Sequence, residues 1–219
     1  MRKVAVTNCA VDKPRLVCLC GCLGAGKTTF AENLIRIGIG AVLLKEDLTE
    51  HLIYRELHSG HAGWMETQLE FYVRWAQLIC TIDASPGTIV VVDHSIDVHH
   101  KVYSRLAHEF QLISDREWQA LSDAYGSFRA FTDSRFTTRN IALEASSETL
   151  ASRLQVRNRD PGDEFHSDFL VGQVKIFSSS FTNEGVALIL GELDSACELS
   201  NNTELQERIR RFIDIGVEG

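Results

Sequence analysis

Long hydrophobic runs and an excess of positive charge are both missing from this sequence. No segment approaches ~18 uninterrupted apolar residues, and residues 1–16 contain no apolar stretch of signal-peptide length. We therefore expect neither a transmembrane helix nor a secretory leader, and we predict a cytoplasmic protein. The formal net charge of −8 argues against binding to nucleic acid or to anionic membranes, because both require a basic surface.

Cysteine pairs of the C-x-x-C type are also missing, although the chain has six cysteines. Cys18, Cys20 and Cys22 alternate along the chain, which would suit a metal site, but two of them lie in an apolar run typical of a buried strand. A free cysteine in such a strand behaves as a small hydrophobic side chain, and this is the interpretation we adopt.

Histidine is present, but not in the patterns that bind zinc. The chain contains no H-E-x-x-H motif, and no cysteine set accompanies its histidines. We therefore predict no zinc site. We expect ordinary surface or loop positions for His94, His99, His100 and His108.

The hydrophobic pattern predicts an α/β fold. With 219 residues and 44% hydrophobic residues, the chain is long enough for one sizeable core, and we predict a single domain over residues 1–219. Short apolar runs alternate with helical patterns, which is typical of a parallel sheet covered by helices on both faces. The five predicted strands are Leu16–Cys20, Ala41–Leu44, Thr88–Val92, Asn140–Leu143 and Val186–Leu190.

Helices are predicted between these strands. Apolar residues at helical spacing or N-terminal capping residues mark the segments. Ser114 and Glu117 fit a capping box, in which each side chain accepts a hydrogen bond from the backbone of the other residue. The predicted helices are Thr28–Ile37, Met65–Cys80, Asp115–Tyr125, Glu148–Val156 and a terminal helix that begins near Thr203.

A phosphate-binding motif lies between the first predicted strand and the first predicted helix. The run Gly21-Cys22-Leu23-Gly24-Ala25-Gly26-Lys27-Thr28 matches G-x-x-x-x-G-K-[ST] in full. Its glycines let the backbone approach an anion, while loop amides and the helix N-terminus hold the phosphates. Lys27 is expected to neutralise the β- and γ-phosphates, and the Thr28 hydroxyl to bind magnesium. We predict a site for ATP and Mg²⁺ here, with Thr29 included.

Acidic residues follow the second and third predicted strands. Asp93 directly follows the run Thr88–Val92, at the strand end where P-loop enzymes place a second acid near magnesium. The alternative is an aspartate that caps the next turn. Glu46 and Asp47 follow the second strand, at the edge of the sheet where open α/β folds bind ligands. A carboxylate in that place can accept the proton of an attacking hydroxyl. Solvated loop charges are the alternative.

Three arginines lie at the end of a helix and in the polar loop that follows. Arg153, Arg157 and Arg159 could close over a developing phosphoryl charge, since arginine is always charged and binds phosphate bidentately. A solvated basic face is the alternative interpretation. We treat residues from about 153 to 167 as a candidate lid.

Taken together, these segments resemble the deoxynucleoside kinase family, particularly its compact bacterial deoxyadenosine and deoxyguanosine kinases, over nearly the whole chain. The segment from Asp93-His94-Ser95 to the helix start Ser114–Gln119 is similar to the family's Asp/Glu-Arg-Ser segment, its long helix and a Ser-x-x-x-Trp helix start. Leu143–Leu150 resembles the family strand and Ser-Pro-Glu turn, which precede an arginine-bearing lid.

The resemblance implies a three-layer P-loop kinase fold with a five-stranded parallel sheet. It also implies transfer of the γ-phosphoryl group of ATP to the 5′-hydroxyl of a (deoxy)nucleoside in nucleotide salvage, and a homodimer formed through helices such as Met65–Cys80 and Val98–Phe110. By the same resemblance, Glu46 is the general base, Gln68 hydrogen-bonds the nucleobase, Tyr54 contacts the sugar and Glu164 contacts the 3′-hydroxyl. The resemblance further puts Asp93 and His94 on the acceptor side of the site.

The sequence departs from the family at three places. His94 replaces an arginine, and Asp47 and Ser147 replace prolines. The loss of the arginine matters most, because a histidine with its ordinary pKa of ~6.5 is mostly neutral at pH 7. Two alternatives therefore stay open. One is a thymidylate-kinase-like nucleoside monophosphate kinase that uses Lys45 to bind the acceptor phosphate, and the other is a nucleotide-binding protein without transferase activity.

Overall fold

A single parallel sheet organises the part of the chain that the computed structural model describes, which is residues 13–45, 63–157, 167–182, 187–191 and 196–214. Within these ranges five strands pair in the order β2-β3-β1-β4-β5, and every pairing is parallel. The strands are β1 Arg15–Cys20, β2 Val42–Leu44, β3 Ile89–Val92, β4 Thr137–Leu143 and β5 Ala187–Leu190. The predicted five-stranded parallel α/β fold is confirmed.

Helices join and cover the strands. They are α1 Lys27–Arg36, α2 Trp64–Thr81, α3 Ile96–Val98, a π-helix His99–Ser104, α4 Arg105–Glu109, α5 Asp115–Arg135, α6 Ser147–Arg157, α7 Ser167–Thr182, α8 Ala196–Asn201 and α9 Thr203–Asp214. None of the helices in the described ranges is both long and apolar enough to cross a membrane.

Local signals located the helix starts better than their ends. At the start of α5 the Ser114 hydroxyl accepts from Glu117 N at 3.3 Å, and Ser114 N donates to Glu117 Oε2 at 2.7 Å, which confirms the capping box. The helix was predicted to end at Tyr125 but continues to Arg135. Gly126 lies in its interior with no atom near its Cβ position, and a single glycine lowers helix stability without ending a helix.

Both faces of the sheet are buried. Val17 and Leu19 of β1 pack into one core that includes α1, whereas Leu16 and Cys18 pack into a second core with α2 and α5. This alternation follows from the two-residue period of a strand, and it explains why the buried strands are continuous apolar runs. The interpretation of the alternating cysteines as hydrophobic side chains is supported, since burial raises the pKa of Cys22 to about 12 and keeps its thiol protonated.

The predicted surface or loop positions are wrong for His99 and His100, which lie in the π-helix, whereas His94 lies in the loop after β3 as predicted but is not exposed. His94, His99 and His100 are all buried, and only His108 is partly exposed. The π-helix helps to explain this, because its extra residue per turn changes which side chains face the protein. Aromatic residues distant in sequence complete their surroundings, so hydrophobic periodicity alone could not reveal the burial.

His100 is the most enclosed by aromatic rings. Its ring stacks on Trp118 and Tyr125 at centroid distances of 4.8 and 4.3 Å, and its Nδ1 lies 3.0 Å from the Tyr72 hydroxyl. Burial lowers the pKa of His100 to about 4, so the imidazole is neutral at pH 7.

Protonation of His100 should make the fold sensitive to acid. In the unfolded chain this histidine has its ordinary pKa near 6.5, so between pH ~6.5 and about 4 unfolding takes up a proton. We expect this group to lower the free energy of unfolding by at most about 1.4 kcal/mol for each pH unit below 6.5. Urea unfolding measured from pH 7.5 to 4.5 tests this expectation.

The variant His100→Phe keeps a flat ring between Trp118 and Tyr125 but removes the titrating group. Its free energy of unfolding should depend less on pH than that of the unsubstituted protein. His108→Gln, at the partly exposed position, serves as the control. An unchanged pH slope in His100→Phe would contradict the assignment.

Candidate active site

The loop between β1 and α1 is folded tightly enough to present its backbone to an anion. Gly24 and Gly26 have φ values of 85° and 93°, in the left-handed region that glycine adopts without strain. A Cβ atom on Gly21 would lie 2.9 Å from Ala25 Cβ and 3.1 Å from the Leu143 carbonyl oxygen. The backbones of the loop and of β4 therefore approach more closely than any other residue type would allow.

Lys27 brings its charge back over this loop. Its Nζ donates to the carbonyl oxygens of Gly21 and Cys22 at 3.0 and 3.2 Å, so the ammonium group lies close to the loop backbone. Thr28 and Thr29 are exposed in the first turn of α1. A helix N-terminus, turned-back glycines and an ammonium group together form the kind of cradle that binds phosphate groups.

Among the three predicted arginines, Arg153 is the one whose side chain the structure describes, and it reaches this loop. Arg153 of α6 directs Nη1 to the carbonyl oxygens of Gly24 and Ala25, each at 3.4 Å. Packing supports the approach, because a Cβ on Gly24 would lie 3.6 Å from Leu154 Cγ. The guanidinium of Arg153 is thus beside the phosphate loop.

Asp93 and His94 follow β3 directly and are buried. Asp93 N donates to the Leu44 carbonyl oxygen at 3.0 Å, which holds the turn against the end of β2. Because β3 neighbours β1 and the two strands are parallel, this turn and the phosphate loop lie at the same carboxyl edge of the sheet.

A second group of side chains adjoins this turn. Gln68 of α2 is buried, and its Oε1 lies 3.3 Å from His99 Nδ1. The His99 ring stacks on Phe71 at a centroid distance of 4.0 Å, and it lies 4.3 Å from the His94 ring. The structure therefore brings the predicted residues Gln68 and His94 together through His99, for which the sequence predicts only an ordinary surface or loop position.

Only a weak signal for His99 exists in the sequence. His99 and Tyr103 are four residues apart, as expected for neighbours on one helix face, and their rings are 5.7 Å apart. Nothing local indicates that this face meets α2.

Four further predicted residues lie outside the described part of the chain, and these are Glu46, Tyr54, Arg159 and Glu164. Arg157 ends α6, and its side chain also lies outside that part.

Comparison with known proteins identifies the family. A family model for deoxynucleoside kinases matches residues 17–214. The chain belongs to the deoxynucleoside kinase family. Membership implies a kinase, that is, a phosphotransferase, and supports a nucleoside kinase activity. A search of curated proteins found no match.

Solved structures show the same fold. A deoxyadenosine kinase from M. mycoides with bound dCTP is similar with a TM-score of 0.71 and 13% identity, over 89% of this chain and 98% of that chain. The same enzyme with bound dATP gives a TM-score of 0.67 and 13% identity, with the same coverage. At 13% identity the similarity is evidence for the fold alone, and it shows that this chain has the P-loop kinase fold.

The close approach at Gly21 makes a specific prediction about stability. Gly21→Ala should lower the free energy of unfolding by about 1–3 kcal/mol, because its methyl group would displace Ala25 or the β4 backbone. Gly126→Ala, in the middle of α5, is the matched control. Its methyl group would contact no neighbouring side chain, and the substitution should stabilise the protein by about 0.5–1 kcal/mol. Thermal and urea unfolding measure both effects. Equal stability changes in the two variants would contradict the packing of the loop.

Proposed function

We propose that this chain is an ATP-dependent kinase that transfers the γ-phosphoryl group of ATP to the 5′-hydroxyl of a (deoxy)nucleoside. The observation that carries the proposal is the pairing of two groups at one edge of the sheet. The phosphate loop with Lys27 and Arg153 lies at the end of β1, and the cluster of Gln68, His94 and His99 adjoins the end of β3. One group suits phosphates and the other suits a flat, polar ring.

The donor side is assigned to the loop from Gly21 to Thr29. Its amides and Lys27 bind the phosphates of ATP, which positions the γ-phosphoryl group for in-line attack. Asp93, a buried carboxylate at the strand end, and the exposed Thr28 hydroxyl are hard oxygen donors that fit Mg²⁺. The metal neutralises charge on the phosphates when it is bound.

The acceptor side is assigned from the family resemblance. Glu46 takes the proton of the attacking 5′-hydroxyl, and Gln68 hydrogen-bonds the nucleobase. Tyr54 contacts the sugar and Glu164 the 3′-hydroxyl, while Arg153, Arg157 and Arg159 stabilise the charge of the transition state. Positioning and electrostatics then supply most of the catalysis.

One contact favours a nucleoside over a nucleoside monophosphate as acceptor. Lys45, the residue that a monophosphate kinase would use for the acceptor phosphate, pairs with Glu32 of α1 at 2.6 Å. This pairing raises the pKa of Lys45, through the hydrogen bond to Glu32 and the charge of Glu32. Exposed pairs of this kind are weak, so the acceptor assay below decides between the two.

The homodimer implied by the resemblance is part of the proposal. Val73 of α2 and Phe110, which follows α4, are exposed apolar side chains on the two helical segments assigned to the interface. Apolar side chains of this kind suit a contact between subunits.

A coupled assay of ADP release tests the function directly. The protein is incubated with ATP and magnesium and with each natural deoxynucleoside and ribonucleoside in turn, while the corresponding monophosphates are assayed in parallel. Release stimulated by one or a few nucleosides supports the proposal and identifies the substrate. Stimulation only by monophosphates would support the monophosphate kinase. ATP binding without ADP release in the presence of any acceptor would indicate a nucleotide-binding protein without transferase activity. The replacement of the family arginine by His94 would then be the first explanation to examine.

Replacement of Arg153 should affect turnover more than binding. In Arg153→Gln we expect kcat to fall by about 10²-fold with a smaller change in the KM for ATP, because a preorganised cation stabilises the developing charge more than the bound substrate. Steady-state kinetics measure both constants. Arg105→Gln is the control, since Arg105 is an exposed arginine of α4 that pairs with Glu109, four residues further along the same helix. A raised KM for ATP with unchanged kcat would show that Arg153 serves ground-state binding instead.

A further inference from the structure

Asp97 is a carboxylate enclosed by three elements of the fold. Its side chain is 2% exposed. Oδ1 accepts from the Tyr125 hydroxyl at 2.8 Å and from Arg129 Nη1 at 3.1 Å, whereas Oδ2 accepts from Arg129 Nη1 at 2.9 Å and from Asn140 Nδ2 at 2.7 Å. Asp97 therefore joins α3 to both α5 and β4.

A buried carboxylate in an ion pair is a poor way to stabilise a fold. Burying a charge costs several kcal/mol, and an apolar pair of similar volume often gives an equally stable protein. A buried ion pair, by contrast, accepts only a narrow range of geometries, because misalignment leaves a desolvated charge without its hydrogen bonds. The pair of Asp97 and Arg129 is thus suited to hold α3 in one orientation.

The orientation of α3 determines where His99 points. Residues two apart on a helix project in nearly opposite directions. Asp97 faces the sheet and α5, and His99 accordingly faces α2, where it meets Gln68 and Phe71. The Ser95 hydroxyl accepts from Asp97 N at 3.2 Å and fixes the start of this short helix.

The segment that follows α3 is a π-helix, which begins at His99 and ends at Ser104. Tyr72 of α2 contacts both of its ends, since its hydroxyl lies 3.0 Å from His100 Nδ1 and 3.2 Å from Ser104 Oγ. Asp97, two residues before His99, adds the contacts to α5 and β4.

We propose that Asp97 and Arg129 are a positioning pair, which fixes the rotation of residues 96–104 and so holds His99 against Gln68 at the nucleobase side of the site. The inference rests on the proposed function, because it concerns the binding of the nucleoside acceptor. Neither residue of the pair is assigned a contact with substrate. Their effect on the acceptor passes through His99.

The structure offers suitable variants. A cavity of about 200 Å³ is lined by Asp97, Arg129 and Asn140 among others, so shortened or neutral side chains there can be hydrated and the variants are expected to fold. Arg129 Nε also donates to Asp133 at 3.0 Å, and the side chain of Asp133 is 47% exposed. Asp133→Asn therefore removes the charge of the other carboxylate partner of Arg129 without changing Asp97, and it is the matched control.

The test compares Asp97→Asn, Arg129→Met and the double variant with both substitutions. We expect each single variant to raise the KM for the nucleoside by about tenfold and to leave the KM for ATP within about twofold, since a displaced side chain weakens acceptor positioning. Both should also lower Tm, because Arg129→Met leaves the buried Asp97 without its counter-charge and Asp97→Asn leaves Arg129 with Asp133 as its carboxylate partner. The double variant removes both charges and should recover much of the Tm while its nucleoside KM stays raised. Asp133→Asn should change neither KM.

A different pattern overturns the inference. If the nucleoside KM recovers together with Tm in the double variant, the pair is merely structural. If all variants keep the nucleoside KM of the unsubstituted protein while that protein phosphorylates nucleosides, the positioning role fails and the proposed function stands.

A spectroscopic readout keeps the two proposals separate. With Gln68 Oε1 as acceptor, His99 carries its proton on Nδ1, and side-chain ¹H–¹⁵N spectra should show this single tautomer in the unsubstituted protein. In the double variant the His99 signals should shift towards a mixture of tautomers. Should the unsubstituted protein phosphorylate no nucleoside, the proposed function fails, and unchanged His99 signals in the double variant would then also refute the positioning pair.

Discussion

The close contact between the phosphate loop and the end of β4 is the constraint on which the site depends. Gly21 leaves no room for a Cβ against Ala25 and the Leu143 carbonyl oxygen, so the chain turns sharply from β1 into α1. In the same loop the ammonium group of Lys27 donates to the carbonyl oxygens of Gly21 and Cys22. Arg153 of α6 reaches the loop at the carbonyl oxygens of Gly24 and Ala25. A looser turn would separate the donor groups that the proposed chemistry requires.

The proposed acceptor side of the site is built in a different way. In the part that the structure describes, its geometry arises from polar contacts among α2, α3, the π-helix, α5 and β4. Gln68 meets His99, Tyr72 meets His100, and Asp97 meets Arg129. Each of these contacts joins elements that are distant in sequence, and every partner except the partly exposed Arg129 is buried. Buried polar contacts of this kind specify geometry, because alternatives leave desolvated groups without partners.

The difference between the contiguous phosphate loop and the contacts between distant elements explains which features could be predicted from the sequence. The strands were found because a sheet covered on both faces forces continuous apolar runs, and the phosphate loop was found because its glycines and Lys27 occupy one contiguous motif. The start of α5 was found because Ser114 and Glu117 bond each other within one turn. The burial of His94, His99 and His100 was not found, since their partners lie on α2 and α5 and a π-helix shifts the helical register. The first residues of β4 were also missed, because β4 begins with the polar run Thr137–Arg139 and not at Asn140.

The sequence by itself determined the α/β class, the phosphate loop and its Lys27, because each depends on residues that are neighbours in the chain or on simple periodicity. Tertiary structure alone decided that Arg153 reaches the loop, how the histidines are enclosed and what holds Asp97. The physical reason is that hydrogen bonds and ring stacking depend on distances of a few ångströms between elements far apart in sequence. Only the packing of helices on the sheet sets those distances.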